Sequence, residues 1–307
     1  MVWLLFAFLS AALLGFYDVF KKQALQNNAV IPVLFLNTLF SSFIFLPFIV
    51  LSSTTFLLND TPFYVASVGW QTHRYILLKS VIVLSSWVFG YFGMKHLPLT
   101  IVGPINATRP VLVLMGAMLI FGERLNLLQW VGVLLAIASF FLLSRSGKRE
   151  GIDFKHNRWI YAIVLAALLG ACSGLYDKYL MVPVEAGGVG LDRMAVQSWY
   201  NLYQCVMMGV VLLLVWFPSR KHTTPFRPHW AILCISVFLS AADFVYFYAL
   251  SQPGAMVSVV SMVRRGSVIV SFIFGALLFR EKNLKNKAID LLLVLLGMLF
   301  LYLGSNG

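Results

Sequence analysis

Charge is scarce in this sequence. Only 11% of its 307 residues are Asp, Glu, Lys or Arg, where a soluble domain carries about 25%. That deficit excludes an ordinary soluble enzyme and a disordered chain. Cysteine is scarcer still. Cys172, Cys205 and Cys234 fall inside apolar segments with no metal-ligand spacing, which excludes a disulfide scaffold and a zinc site and predicts three buried small side chains. Five histidines, His73, His96, His156, His222 and His229, sit in loops or at predicted helix ends. No His-Glu-x-x-His, no Gly-x-Ser-x-Gly and no paired acids at helical spacing occur, so no enzyme is expected. The sequence has no Walker lysine motif and no dinucleotide-binding glycine set, so neither ATP hydrolysis nor a cofactor is expected.

What the chain does have is apolar length. Sixty per cent of its residues are hydrophobic, and the mean hydropathy is +0.87. A bilayer-spanning helix takes about 20 apolar residues. The pattern predicts an all-α, polytopic membrane protein with ten transmembrane helices, at approximately 2–22, 30–51, 75–95, 99–121, 126–144, 159–181, 194–217, 230–250, 255–279 and 287–304. The breaks agree: Asn27-Asn28, Pro98, Ser146-Gly147-Lys148, Pro218 with Pro225, and Pro253-Gly254 each fall at a predicted helix boundary. Residues 1–14 lack the basic start of a cleaved leader and run on as helix 1. In the longer loops, Asn59-Asp60-Thr61 is read as a chance glycosylation match. Gly187-Gly188-Val189-Gly190 has no strand before it and is read as a linker, not a phosphate cradle.

The two halves repeat. Gly15-Phe16-Tyr17-Asp18 in helix 1 matches Gly174-Leu175-Tyr176-Asp177 in helix 6, 159 residues on. Phe89-Gly90-Tyr91-Phe92 followed by Pro98 matches Phe244-Val245-Tyr246-Phe247 followed by Pro253, and Arg109 meets Arg264 at that same separation of 155. Phe121-Gly122-Glu123-Arg124 matches Phe279-Arg280-Glu281-Lys282. The predicted units are residues 1–145 and 159–307, joined by a basic linker at 146–158. Five helices is an odd number, so the second unit crosses in the opposite sense. Inverted repeats of this kind are typical of secondary transporters, which bind substrate where the repeats meet.

With its five-plus-five repeat, its acidic-basic turns after helices 4 and 9, and Ala249-Leu250 followed by Pro253 leading into helix 9, the whole chain resembles the EamA-type drug/metabolite transporter superfamily. The resemblance implies the ten-helix fold and a secondary transporter. It leaves the cargo open among amino acids, sugar phosphates, nucleotide sugars and drugs. In the similar triose-phosphate translocator branch, phosphate is held by a basic residue in helix 4 and a Lys-Arg pair in helix 9. Arg109 and Arg264-Arg265 stand at matching places here, with Arg where that branch has Lys.

A charge at the bilayer centre costs at least about 2.5–3.5 kcal/mol on insertion scales, so it faces a partner or a wet cavity. Arg109, Arg264, Arg265 and Asp243 lie mid-helix; Asp18 and Asp177 lie toward helix ends. Guanidinium is a planar fork suited to carboxylate or phosphate. Ser236, Ser240, Asp243 and Tyr246 share a face of helix 8, as do Val102, Asn106 and Arg109 in helix 4 and Ser258, Ser261 and Arg265 in helix 9. The candidate substrate site is therefore Arg109, Arg264, Arg265, Asn106, Asp243, Tyr246 and Ser261, with Asp18, Asp177 and Asp243 as candidate proton carriers. Tyr17, Tyr91 and Tyr176 are further candidates for the lining. Pro110 interrupts helix 4; Gly266 gives helix 9 a weaker break.

The net charge is +12. In a membrane chain this excess belongs to cytoplasmic loops, not to nucleic-acid binding. Fifteen of the 23 Lys and Arg fall on the side of the 1–2 connection and five on the other. The count places that side in the cytoplasm of a plasma or inner membrane and both termini outside, whereas the resemblance implies termini inside. The expected function is secondary transport of a small polar metabolite, anionic or zwitterionic, with protons as a candidate coupling ion. A flippase for a lipid-linked phosphate headgroup is the alternative.

Overall fold

The computed structural model describes residues 2–59, 61–112, 115–116, 126–148, 151–181, 183–250, 260, 263–281 and 284–305. Its long elements are helices: α1 (Val2–Leu25), α2 (Val30–Thr54), α3 (Trp70–His96), α4 (Leu99–Ala107), α5 (Leu127–Lys148), α6 (Arg158–Met181), α7 (Arg193–Val211), α8 (Ala231–Leu250), α9 (Ser267–Leu278) and α10 (Leu284–Ser305). No strand occurs among the described residues. Inside a bilayer every backbone N–H and C=O must be satisfied within its own segment, and helices do this. Seven of the ten, α1, α2, α3, α5, α6, α7 and α10, are long and apolar enough to span. The second half of predicted helix 4 and the start of predicted helix 9, including Glu123, Pro253, Ser258 and Ser261, lie outside the described residues.

Burial is inverted relative to a soluble protein. Leu5, Phe56, Leu127, Phe141, Leu214 and Leu277 point outward, while serines and charged side chains are inside. Of the three cysteines expected to be buried, Cys172 faces out and Cys205 and Cys234 are half-buried.

The packing has a pairing rule. α1 packs on α8 and α3 on α6; α2 packs on α7, α4 on α9 and α5 on α10. Exchanging the halves, so that each helix takes the number five away, maps this set onto itself. The secondary contacts obey the same exchange: α1 with α9 answers α6 with α4, and α2 with α8 answers α7 with α3. At the α5–α10 crossing the backbones touch, since a Cβ on Gly132 would stand 2.7 Å from the Gly297 carbonyl and one on Gly297 2.9 Å from the Gly132 carbonyl. Small residues permit such close approach between membrane helices.

The helix ends sort into two faces. The Asn28 amide donates to the Arg227 carbonyl at 2.7 Å, Lys95 donates to Thr224 at 2.7 Å, and Lys22 donates to the Met94 carbonyl at 2.7 Å. His96 stacks on Trp159. The 1–2, 3–4, 5–6 and 7–8 connections therefore lie together, which is the alternation that odd-numbered crossing requires. In the 5–6 connection, a hydrogen bond from His156 holds the Asp153 carboxyl below the usual carboxylate range.

Helix 3 begins five residues earlier than predicted, at Trp70. Gln71, Thr72, His73 and Arg74 are polar and hid its first turn from a hydropathy reading. The extension moves Lys79 inside the protein. Helix 7 continues through a π-helical turn, Leu212–Trp216, to Ser219.

Candidate functional site

Helices α4 and α9 are each interrupted beside an arginine. α4 is regular to Ala107; Thr108 then takes turn geometry (φ −76°, ψ −8°) and its N–H reaches the Ile105 carbonyl at 3.2 Å, a tighter bond than the α-helical one. Arg109 follows, and Pro110 removes the next N–H. In the second half residues 263–265 are helical, Gly266 adopts φ −58° and ψ −13°, and α9 resumes at Ser267. The break beside Gly266 is thus as well formed as the one beside Pro110. Irregular backbone at corresponding points of two halves points to a transport site.

Around these breaks the carboxylates are each claimed by one cation. Lys21 donates to Asp18 at 2.9 Å within α1. Lys79 of α3 pairs with Asp177 of α6. Arg264 pairs with Asp243 of α8, whose second oxygen accepts from Tyr200 of α7 at 3.3 Å. Aromatic rings cover the cations: Lys21 lies 4.3 Å from the Tyr17 ring centre and 5.3 Å from that of Tyr91, Lys79 lies 5.2 Å from that of Tyr200, and Arg264 lies 4.4 Å from that of Tyr246. Such rings stabilise a desolvated cation by roughly 2 kcal/mol.

Two guanidiniums are left over. Among the described residues no carboxylate stands within ion-pair distance of Arg109 or Arg265. Arg109 donates to Asn106 Oδ1 at 3.1 Å, and its buried Nε has no acceptor among the described residues. It presses on α6 at Gly170, where a Cβ would lie 2.8 Å from Cζ. Arg109 and Arg265 lie within Coulombic reach of each other and of Arg264 and Asp18.

The predicted site residues thus divide. Asn106, Arg109, Asp18, Asp243, Tyr246, Arg264 and Arg265 fall in one charged cluster where α1, α4, α8 and α9 meet. Asp177 stands on α6 with Lys79, and Ser261 lies outside the described residues. Two lysines assigned to loops in the charge count turn out to be buried ion-pair partners. Lys21 is 7% exposed and Lys79 4%. Both carry long apolar stems near a predicted helix end, where hydropathy alone cannot separate a loop lysine from a buried one. Lys287, also counted as a loop residue, is fully buried in α10. Tyr176, a candidate for the lining, instead donates to the Tyr75 carbonyl at 3.3 Å.

Fold and charge pattern together define an integral, multi-pass membrane protein. The EamA-like transporter family model matches residues 1–145 and 157–303, so the chain belongs to that family, within the drug/metabolite transporter superfamily. An uncharacterized transporter of Archaeoglobus fulgidus is 21% identical over 99% of both chains. A solved crystal structure with 15% identity superposes with a TM-score of 0.61, covering 98% of this chain and 97% of that one; at that identity it speaks for the fold alone. The family assignment points to a membrane transporter and not to an enzyme.

Proposed function

We propose that the protein is a secondary transporter for a small anionic or zwitterionic metabolite, working by alternating access around the α4–α9 breaks. The observation that carries this reading is the unpaired guanidinium pair, Arg109 and Arg265. In that cluster Asp18 and Asp243 are already paired, with Lys21 and Arg264, so among the described residues no carboxylate is left for Arg109 and Arg265. A substrate carboxylate or phosphate supplies the missing negative charge with bidentate geometry.

The same inventory supplies a coupling scheme. Protonating Asp18, Asp177 or Asp243 releases its lysine or arginine, which raises the positive charge facing the substrate. Proton binding and anion binding then favour each other. The even crossings and the basic-loop excess support both termini outside a plasma or inner membrane. A reporter fused after Gly307 that works only in the cytoplasm would reverse that orientation.

The deciding experiment is a thermal-shift screen of the purified protein against amino acids, carboxylates, sugar phosphates and nucleotide sugars. A ligand that binds only the native state raises the midpoint by mass action. An anionic hit that disappears in both Arg109→Gln and Arg265→Gln is expected. Anionic hits retained in both variants would make the arginines structural and sink the reading.

A further inference from the structure

A groove of about 320 Å³ opens on the outer surface between α2 and the start of α8. Its walls are Leu36 and Phe40 of α2, with Pro228, His229, Trp230 and Leu233 at and before the α8 start. Trp230 and Leu233 are 60% and 52% exposed, so the groove faces the surrounding bilayer. It runs along the helices. Its shallow end lies at Pro228–Trp230, level with the α2 start, because Asn28 holds the Arg227 main chain there. The Asn28 amide donates to the Arg227 carbonyl at 2.7 Å, and its Oδ1 accepts from the Arg227 N–H at 2.8 Å. Its deep end is Phe40, ten residues into α2. At 1.5 Å per residue that is about 15 Å down, half of a hydrocarbon core about 30 Å thick. The groove is one leaflet deep.

The shallow end is cationic. Arg227 directly precedes the groove wall, is exposed, and has no carboxylate within ion-pair distance among the described residues. Lys221 and His222 are exposed in the same connection. His229 accepts the Ala231 N–H on Nδ1 at 3.1 Å, which puts the hydrogen of the neutral ring on Nε2 as a donor. No Asp or Glu occurs between Asp18 and Asp60 or between Asp192 and Asp243. Neither wall of the groove nor the 7–8 connection therefore supplies a carboxylate above Asp243. Trp230 marks the boundary between the charged and apolar ends, as tryptophan does at membrane surfaces. Its ring is held edge-on by Phe20 of α1 at 5.5 Å and stacked on His229 at 5.6 Å.

We propose that this groove binds an anionic phospholipid, with an acyl chain along Leu36, Phe40 and Leu233 and the phosphate at Arg227 and His229. Basic pockets beside membrane helices hold anionic head groups. The two ends select this class together. A neutral phospholipid fills the apolar wall but leaves Arg227 without a counter-charge. A soluble anion answers Arg227 but leaves a leaflet-deep apolar wall uncovered. One anionic phospholipid answers both. The inference needs only the packing of α2 on α8 in a bilayer. It does not rest on Arg109 and Arg265 or on the transport reading.

Fluorescence quenching of the full-length protein, reconstituted in phosphatidylcholine vesicles, tests it. A minority of the lipid carries brominated chains, which quench the tryptophans they touch. Subtracting the signal of Trp230→Phe isolates Trp230. Brominated phosphatidylglycerol is expected to quench Trp230 several-fold more than brominated phosphatidylcholine at the same mole fraction. Arg227→Gln is expected to cut that preference about fivefold, the share of one basic side chain near the surface. Lys155→Gln, an exposed lysine of the 5–6 connection on the same face, is expected to leave it unchanged. Should Trp230→Phe not fold, the difference in total quenching between the native protein and Arg227→Gln carries the comparison. Equal quenching by the two lipids overturns the proposal. A preference that survives Arg227→Gln, or that Lys155→Gln lowers as much, overturns it in favour of general attraction to a basic face. Loss of the preference on adding soluble glycerol phosphate overturns it in favour of a soluble-anion site.

Discussion

Lys79 of α3 and Asp177 of α6 are 98 residues apart in the chain and form an ion pair that ties the first half of the protein to the second. Its counterpart by the repeat, Asp18, pairs instead with Lys21 of its own helix, three residues away. Two sequence-equivalent aspartates therefore do different mechanical jobs. The Lys79–Asp177 pair joins α3 to α6, and on the same helix as Lys79, His73 meets Tyr203 of α7 at 2.8 Å. The Asp18–Lys21 ion pair lies within α1, and among the described residues Asp18 reaches the second half only through a long hydrogen bond accepted from the Ser271 hydroxyl at 3.4 Å.

That asymmetry predicts a double-mutant cycle. Asp177→Asn leaves the buried Lys79 without its carboxylate; because the Asp177 side chain is 31% exposed, the cost falls below the roughly 3–5 kcal/mol of a fully buried pair. Lys79→Met with Asp177→Asn removes both charges and is expected to recover most of that loss. Denaturant unfolding in detergent measures both. If the double variant is no more stable than Asp177→Asn alone, the pair does not couple the halves.

Gly170 offers a way to move Arg109 without touching it. A methyl at Gly170 would overlap the guanidinium, the far end of a flexible side chain. Gly170→Ala is therefore expected to change stability by less than about 1 kcal/mol while weakening substrate-dependent thermal stabilisation about tenfold or more in apparent Kd, as a bidentate contact of about 1.5–3 kcal/mol would dictate. Unchanged ligand affinity would place Arg109 outside the binding site.

The fold was legible because a bilayer makes hydropathy nearly sufficient. The apolar runs lead directly to a polytopic all-helical protein, whereas the pairing of α1 with α8 and α3 with α6 was seen only in the structure. The arginines were legible for the same reason, since a mid-span charge stands out. Lys79 was not, because a lysine near an uncertain helix end is the same letter whether it snorkels to the surface or turns inward. The buried amides of α2 and α7, Asn37, Gln197 and Gln204, were not legible either, because Asn and Gln carry no charge to flag them.

Glu281 illustrates a residue read correctly in kind and incompletely in reach. It defines the turn after α9, as its place in the repeat suggested. Its carboxylate also crosses to the other half, accepting from the backbone N–H of Leu99 at 2.6 Å and of Thr100 at 2.9 Å, and from the Thr100 hydroxyl. This caps the N-terminus of α4, whose own cap position is Pro98 with no side-chain bond. Glu281→Ala is expected to cost about 1–2 kcal/mol; Glu281→Gln, which keeps an acceptor, is expected to cost less. Equal losses in thermal unfolding would mean that the capping bonds contribute nothing beyond charge.

The α5–α10 crossing supplies the control for every functional variant. A Cβ on Gly297 would sit 2.9 Å from the Gly132 carbonyl, a backbone atom that cannot swing aside. Gly297→Ala must therefore push two helices apart, and overpacking of this kind costs about 1–3 kcal/mol. Yet among the described residues the ion pairs Lys21–Asp18, Lys79–Asp177 and Arg264–Asp243 all lie on other helices than α5 and α10, so ligand affinity in the folded fraction is expected to stay at the native value. Gly170→Ala and Gly297→Ala are the same chemical change with opposite signatures, the first lowering affinity at constant stability and the second lowering stability at constant affinity. Thermal unfolding and ligand titration on the two variants separate the binding site from the scaffold. A Gly297→Ala protein with full stability and weakened binding would show instead that the outer helix pair shapes the site.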